Sequence, residues 1–333
     1  MKIKLNFIPE NIAPLGAKRV VLYDKNEKKV GSISLGKLSS NTLGEKMYTF
    51  GALSDVHLNF DTAKADFQKA LGYINDVEKV DFICLCGDMG GNTSNNAINF
   101  DVYKEYIDNY SPNVPVHLAT GNHDVELKTL AYEDTIPYTG NPLYYSFTQD
   151  NDIFIMVGMR SWTSTPFSTA ELQWLYETLE ANRNKRCFVF QHTLRVDGCG
   201  NAHGLYPRDD LNNTQGKVFK SLMEHYKNVV WFHGHSHTMF ELQNNFPIAN
   251  YDRLFGCHSV HIPSIAIPKD SNHNVIYEGS QGYIVDVYEN GIHLRGRDFI
   301  TEEFVPVASY WIDTTPIAIP ANSYVDSTGT INL

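Results

Sequence analysis

Five short apolar runs in this chain each end directly in a polar motif, and this arrangement constrains the fold more than any other feature. Each run has the length of a buried strand. The runs and motifs are 50–53 with Ser54-Asp55-Val56-His57, 82–86 with Gly87-Asp88, 114–119 with Gly121-Asn122-His123-Asp124, 188–190 with Gln191-His192, and 229–232 with His233-Gly234-His235-Ser236-His237. In open α/β sheets such side chains gather in one crevice at the carboxyl ends of the strands. The pattern therefore predicts an α/β fold with a single polar site.

Amphipathic stretches between the runs predict the helices that cover the sheets. Apolar residues recur at helical spacing in 62–78, 103–110 and 168–179. The third stretch opens on Ser168 and Glu171, which form the S-x-x-E pattern of a capping box. Stripes of this kind are typical of helices that bury one face in the core.

Two segments flank the part of the chain that carries the motifs. Residues 1–46 contain two alternating apolar runs separated by a polar turn, which predicts a small β-hairpin. The end of the chain is rich in Thr, Pro, Ser and Ala and has little helical period, so we expect an extended surface tail. We divide the chain into an N-terminal β extension (1–46), a domain that carries the motifs (47–312) and a C-terminal tail (313–333).

Composition bounds the class of protein and its partners. A chain of 333 residues, 42% of them hydrophobic, can bury a large core. The formal net charge of -11 argues against nucleic acid as a partner, because phosphate backbones are bound by surfaces rich in Lys and Arg. We find no signal-peptide pattern and no bilayer-spanning run. Together with five cysteines, an odd number that suits reduced packing residues, this predicts a cytoplasmic protein without a membrane partner.

Taken together, the five motifs resemble the full signature of the calcineurin-like metallophosphoesterases. They occur in the family's order and span about residues 47–299. The resemblance implies a four-layered α/β/β/α metallophosphoesterase sandwich, here with the small N-terminal β-hairpin extension, around a binuclear metal centre. Segment 170–175 also resembles a helix of the class III cyclic-nucleotide phosphodiesterase branch.

The resemblance implies a ligand set for two divalent ions. One ion would be held by Asp55, His57, Asp88 and His237, and the other by Asp88, Asn122, His192 and His235. Oxygen and imidazole ligands suit Mn, Fe, Zn or Co, whereas the absence of thiolates disfavours a structural zinc. The shared ligand must be a carboxylate, because an imidazole cannot bridge two ions. Ions roughly 3.5 to 4 Å apart can activate a bridging water and clamp a phosphoryl group.

The resemblance also implies roles for two further residues. His123 would stabilise developing charge and protonate the leaving oxygen, and Asp124 would orient the His123 imidazole. A packed or substrate-orienting His123 is the alternative. We therefore expect a binuclear phosphoesterase that acts on small or nucleotide-like phosphodiesters by in-line attack of a hydroxide bridging the ions.

Two other functions stay open. The flanking segments lie outside the resemblance, so the chain could be a metal-stabilised binding or assembly module with little activity. A nuclease would use the same chemistry on a macromolecule. In the loop 195–213, Arg195, His203 and Arg208 either pair with substrate phosphate or are solvated. His233 is expected behind the ligands or in the core.

Overall fold

The computed structural model describes residues 19–23, 29–34, 43–60, 62–91, 96–125, 136–160, 166–195, 198–201, 211–245, 250–253, 256–270, 272, 274–276 and 278–324. In chain order the strands are β1 (Arg19–Tyr23), β2 (Lys29–Ser34), β3 (Lys46–Leu53), β4 (Phe82–Cys86), β5 (Val116–Ala119), β6 (Tyr144–Gln149), β7 (Asp152–Val157), β8 (Cys187–Phe190), β9 (Val229–His233), β10 (Tyr251–Asp252), β11 (His258–His261), β12 (Gln281–Tyr288), β13 (Gly291–Asp298) and β14 (Glu303–Asp313). The helices are α1 (Ala63–Gly72), α2 (Asn96–Tyr110), α3 (Asn122–Val125), α4 (Ile136–Thr139), α5 (Thr169–Ala181) and α6 (Thr214–His225). A π-helical turn (Tyr73–Glu78) continues α1, and a 3-10 helix spans Phe240–Asn245.

Two six-stranded sheets carry the motifs. The first sheet has the order β14-β13-β12-β3-β4-β5, with β3, β4 and β5 parallel to one another. The second has the order β10-β11-β9-β8-β7-β6, with β7, β8, β9 and β11 parallel. All five motif-bearing strands thus belong to the parallel parts of the sheets, as the sequence predicts.

The sheets pack face to face, and helices cover their outer faces. The Phe50 ring of the first sheet lies 5.3 Å from the Phe154 ring and 5.5 Å from the Phe188 ring of the second. Buried residues of α1 and α2 form a cluster with the other face of the first sheet, and those of α5 and α6 do so with the second. The predicted four-layered α/β/β/α sandwich is confirmed.

The local predictions for helices and hairpin are also confirmed. The segment predicted from 62 forms α1 and its π-helical turn, and Ser168 and Glu171 make both bonds of the capping box. In the N-terminal extension β1 and β2 pair as an antiparallel hairpin. Across the described residues, no helix combines the length and the apolar character that crossing a bilayer requires.

The segment that follows β14 is fastened to the second sheet's helical layer. The Ile317 N–H donates to Asn228 Oδ1 at 2.8 Å, and the Ile319 N–H donates to Asn184 Oδ1 at 3.0 Å. The Tyr324 side chain is buried in the cluster formed with α5 and α6. The described part of the tail is therefore anchored, while the proposed domain boundaries stay predictions.

A buried arginine joins the two sheets at the amino ends of their parallel strands, away from the motifs. The Arg186 guanidinium contacts the Asp152 carboxylate and donates to the Tyr288 carbonyl at 2.9 Å and to Thr314 Oγ1 at 3.0 Å. The Tyr48 hydroxyl donates to the same carboxylate at 2.6 Å. This pair therefore connects β7 and β8 to the β12–β13 hairpin and to the start of the tail.

We expect Arg186→Met to lower the free energy of unfolding by about 3 to 5 kcal/mol, because it leaves Asp152 buried without its cation. Urea denaturation measures this change. Lys104→Met is the matched control: Lys104 forms an exposed pair with Asp108, which contributes less than about 1 kcal/mol. Equal losses in the two variants would contradict the role assigned to Arg186.

A second prediction concerns the pH dependence of stability. Burial raises the pKa of Glu171 from 4.5 to about 8, against the opposing effects of the Ser168 N–H and Arg160. Between these two pH values the unfolded chain releases a proton that the folded chain keeps, so stability falls as pH rises, by at most about 1.4 kcal/mol per unit. Glu171→Gln keeps the capping box and removes this slope.

Urea denaturation at pH 5, 6.5 and 8 measures the effect. As the pH rises from 5 to 6.5 and from 6.5 to 8, the free energy of unfolding of Glu171→Gln should increase relative to that of the unchanged protein. Glu177→Gln on the exposed face of α5 should show no such gain. A constant difference between Glu171→Gln and the unchanged protein would rule out a protonated Glu171.

Candidate metal centre

The structure brings the predicted ligands together at the carboxyl ends of the parallel strands. Their potential ligand atoms form two groups, within each of which all atoms lie within 4.8 Å of one another. The first group is Asp55, His57, Asp88 and His237, and the second is Asp88, His192 and His235. Asn122 is also buried and follows β5 in the same crevice. The grouping matches the division that the family resemblance implies, with Asp88 in both sets.

Hydrogen bonds fix the orientation of the Asp55 and Asp88 carboxylates. Asp55 Oδ2 accepts from Ser54 Oγ at 2.6 Å and from the His235 N–H at 3.0 Å, which leaves Oδ1 facing His237 Nε2 at 2.9 Å. Similarly, Asp88 Oδ1 accepts from the His123 N–H at 2.8 Å, while Oδ2 lies 3.0 Å from His192 Nε2. In each carboxylate, one oxygen is thus held by hydrogen bonds, and the other faces a histidine of the candidate ligand set.

The imidazoles are oriented by backbone carbonyls. His57 Nδ1 lies 3.1 Å from the Gly90 carbonyl, and His192 Nδ1 lies 2.6 Å from the Cys86 carbonyl. These bonds require Nδ1–H, so in the neutral ring Nε2 carries the lone pair that a metal needs. His57 Nε2 lies only 3.1 Å from His237 Nε2. A cation between these nitrogens would satisfy both.

Several buried polar atoms at the centre have no hydrogen bond within the described structure. They are Asp55 Oδ1, Asp88 Oδ2, His192 Nε2 and the Oδ1 and Nδ2 atoms of Asn122. Buried polar groups are normally satisfied, so the unsatisfied acceptors of this set, which are the two carboxylate oxygens, the imidazole nitrogen and the amide oxygen, indicate a site for cations. The residues present therefore fit two divalent ions.

The charges of the site favour the same conclusion. Burial alone raises the pKa of Asp88, but the nearby imidazoles, His192 first, outweigh it and hold this pKa below its usual range. Burial lowers the pKa of His192, yet Asp88 and Asp55 raise it to about 10. The two carboxylates thus attract positive charge into a buried pocket, and metal ions can supply that charge in place of protons.

Backbone strain is concentrated at the candidate ligands. Asp55, His57, Asp88, His235 and His237 have φ between 47° and 73°. They are five of the nine non-glycine residues with positive φ in the described parts of the chain. Such conformations cost about 1 to 3 kcal/mol each and persist only where the surroundings impose them. The strained backbone is what turns these side chains from the strand direction into the crevice.

Two glycines allow the ligand loops to touch. Gly87 has φ +89°, and a Cβ there would lie 2.8 Å from the Gly121 Cα. A Cβ on Gly121 would lie 2.7 Å from the Asp88 nitrogen. Any side chain at these positions would push apart the loops after β4 and β5, and with them Asp88 and Asn122.

His123 and Asp124 lie beside the ligands. The half-buried His123 ring is 5.2 Å from the His57 ring. Asp124 is buried, and its carboxylate accepts from the N–H groups of Asp88 at 3.0 Å, Gly90 at 2.8 Å and Gly121 at 2.8 Å. Asp124 therefore fixes the turns that carry the ligands. Its predicted effect on the His123 ring, and the catalytic role of His123, stay predictions.

The remaining candidates lie away from the ligand atoms or outside the described residues. His233 is buried, with Nε2 3.4 Å from Cys199 Sγ and 3.1 Å from Ser259 Oγ. Arg195 donates to Glu224 Oε1 at 3.0 Å on the surface. His203 and Arg208 lie outside the described residues, so their predicted contact with phosphate is not placed.

Sequence reasoning missed one segment of the site, residues 264–269. Ser264 Oγ donates to the Asp55 carbonyl at 2.7 Å, and the Lys269 N–H donates to the His237 carbonyl at 2.8 Å. No metal-ligand spacing marks this segment, because it contacts the ligand loops through its backbone and a serine. Only its position after β11, the last parallel strand of the second sheet, could have drawn attention to it.

Comparison with known proteins defines the class. The sequence model of the calcineurin-like phosphoesterase family matches residues 48–239, which is 192 of the 333 residues. The chain therefore belongs to the calcineurin-like phosphoesterases. No curated protein matches it. The likeness of segment 170–175 to the cyclic-nucleotide branch stays a prediction.

Solved structures share the fold at low sequence identity. A dimetal phosphatase from Danio rerio is 15% identical with a TM-score of 0.56, covering 81% of this chain and 100% of its own. A purple acid phosphatase from yellow lupin (Lupinus luteus) seeds has the same identity and TM-score, with coverage of 89% of this chain and 59% of its own. GAP50, the anchor in the inner membrane complex of Plasmodium, is 13% identical with a TM-score of 0.53, covering 85% and 92%.

We expect the purified protein to bind two divalent ions, and Asp88→Asn to bind one or none, because an amide replaces the only carboxylate shared by both groups. Elemental analysis after equilibration with Mn, Fe, Zn or Co gives the stoichiometry. His225→Gln on α6, where His225 bonds Ser323, is the control and should keep both ions. If Asp88→Asn still bound two ions, Asp88 would not be the ligand that the two ions share.

Proposed function

We propose that this calcineurin-like phosphoesterase hydrolyses phosphodiesters of small or nucleotide-like substrates at a binuclear metal centre. The observation that carries the proposal is the pair of buried ligand groups that share Asp88. When bound, two divalent ions would activate a water molecule and neutralise charge on the phosphoryl oxygens. Mn, Fe, Zn and Co all suit the donor set, since it contains imidazole, carboxylate and amide but no thiolate.

Residues next to the proposed ions would donate the proton and position the ligands. His123 is half-buried next to the first ligand group, where it can donate a proton to the leaving oxygen. The His123 N–H also fixes Asp88 Oδ1, so the same residue holds the shared ligand through its backbone. Asp124 holds the turns on either side of the centre through three N–H groups. These contacts leave the geometry preorganised.

Composition and cysteine state support the substrate class and compartment that we propose. A net charge of -11 favours small substrates over nucleic acid, whose backbone would be repelled. All five cysteines are buried and free, which suits a reducing compartment such as the cytoplasm.

The first test compares two substrates on the metal-loaded protein. We expect a higher kcat/KM on bis(p-nitrophenyl) phosphate than on p-nitrophenyl phosphate, and no activity in Asp88→Asn. The reverse ratio would remove the diester proposal while keeping the hydrolase. If the unchanged protein hydrolysed neither substrate faster than Asp88→Asn with any of Mn, Fe, Zn and Co, the proposed enzymatic function would be wrong. A metal-stabilised assembly module would then be favoured.

The second test addresses His123. We expect His123→Asn to lower kcat about 100-fold for a diester whose leaving group is an alkoxide, and much less for p-nitrophenolate, which needs no proton to leave. Steady-state kinetics on both substrates measure the two losses. Equal losses would assign His123 to charge stabilisation or packing, and unchanged kinetics would remove it from the mechanism. His225→Gln serves again as the control.

A further inference from the structure

Lys269 lies on the wall of the metal centre formed by residues 264–269. At the start of the segment, Ser264 Oγ donates to the Asp55 carbonyl. At its end, the Lys269 N–H donates to the His237 carbonyl. Lys269 also pairs as an isolated bridge with Thr238, the residue after that ligand. Backbone contacts at both ends thus fix the position of Lys269 relative to the first ligand group.

The middle of the segment packs against the loop that carries His57. Ala266 and Ile267 form a small apolar cluster with Ala63, and Phe60 packs against it. The Phe60 ring lies 6.0 Å from the His57 ring. The wall is therefore apolar between its two anchored ends, and Lys269 adds a cationic group at its far end.

The Lys269 ammonium has no carboxylate partner within ion-pair distance among the described residues. The Lys269 side chain is half-buried; burial lowers its pKa below the usual value, and the negative charge of Asp55 partly opposes this. The carboxylate of Asp270, the next residue, accepts from the N–H groups of Asn272 and Asn274. Lys269 is therefore a partly exposed lysine without a carboxylate partner among the described residues, and its backbone is held beside the first ligand group.

We propose that Lys269 is a substrate-binding residue that pairs with a non-bridging phosphoryl oxygen of the phosphoester. This inference rests on the proposed function, which supplies the phosphate. Lysine binds phosphate as a point charge, so the contact strengthens with the charge on the phosphoryl group. A phosphomonoester or inorganic phosphate, as a dianion, gains more from Lys269 than a singly charged diester does. Lys269 thus sets how strongly the site holds its product.

The test is phosphate binding by the metal-loaded protein and its Lys269→Met and Lys269→Arg variants. Isothermal titration with inorganic phosphate at pH 8 should give a Kd about tenfold higher for Lys269→Met, as expected for loss of one charge-assisted bond. Lys269→Arg should stay within about threefold of the unchanged protein. KM for p-nitrophenyl phosphate should rise more than KM for bis(p-nitrophenyl) phosphate, with kcat changed less than about threefold.

Lys104→Met removes the same charge from an exposed pair on α2 and should leave phosphate binding unchanged. A phosphate Kd for Lys269→Met within twofold of the unchanged protein would overturn the inference. So would a loss of bound metal in that variant, because Lys269 would then act by holding the His237 loop. If the unchanged protein binds phosphate but hydrolyses neither substrate, the proposed function fails, while the phosphate Kd still decides the role of Lys269.

Discussion

The candidate metal centre depends on the placement of one carboxylate, that of Asp88. Its Oδ1 accepts the His123 N–H, its own N–H donates to Asp124, and its Oδ2 faces His192. The loops after β4, β5 and β8 therefore meet at a single side chain. Because a carboxylate has two oxygens, it can be held by one and still offer the other to metal.

Holding Asp88 there requires a backbone that most sequences avoid. Five ligands adopt positive φ, and the loops approach so closely that Gly87 and Gly121 leave no room for a Cβ. The strain is tolerated because the surrounding sandwich is large and packed, with aromatic rings of both sheets in contact between the strands. The rigid core thus supplies the stability that the strained rim lacks.

Much of this architecture could be predicted from the chain alone. The helix that begins after Ser168, the β1–β2 hairpin and the strands that precede each motif follow from local pattern, and all are present. Arg186 was missed because a charge before an apolar strand looks like an ordinary surface residue until its partners are seen. Those partners are 34 to 128 positions away along the chain. Lys269 was missed for the same reason: its site contact is a backbone bond to a distant loop.

The sequence by itself determined which residues could bind metal and that they would gather at one edge, because strand ends and ligand types are local properties of the chain. It could not decide among the three histidines at 233, 235 and 237 without a family pattern. The tertiary structure separates them: His235 and His237 face the carboxylates, whereas His233 lies among Cys199 and Ser259. That separation depends on left-handed backbone at the two ligands and on contacts between loops of different sheets. Such contacts exist only once the sheets have packed.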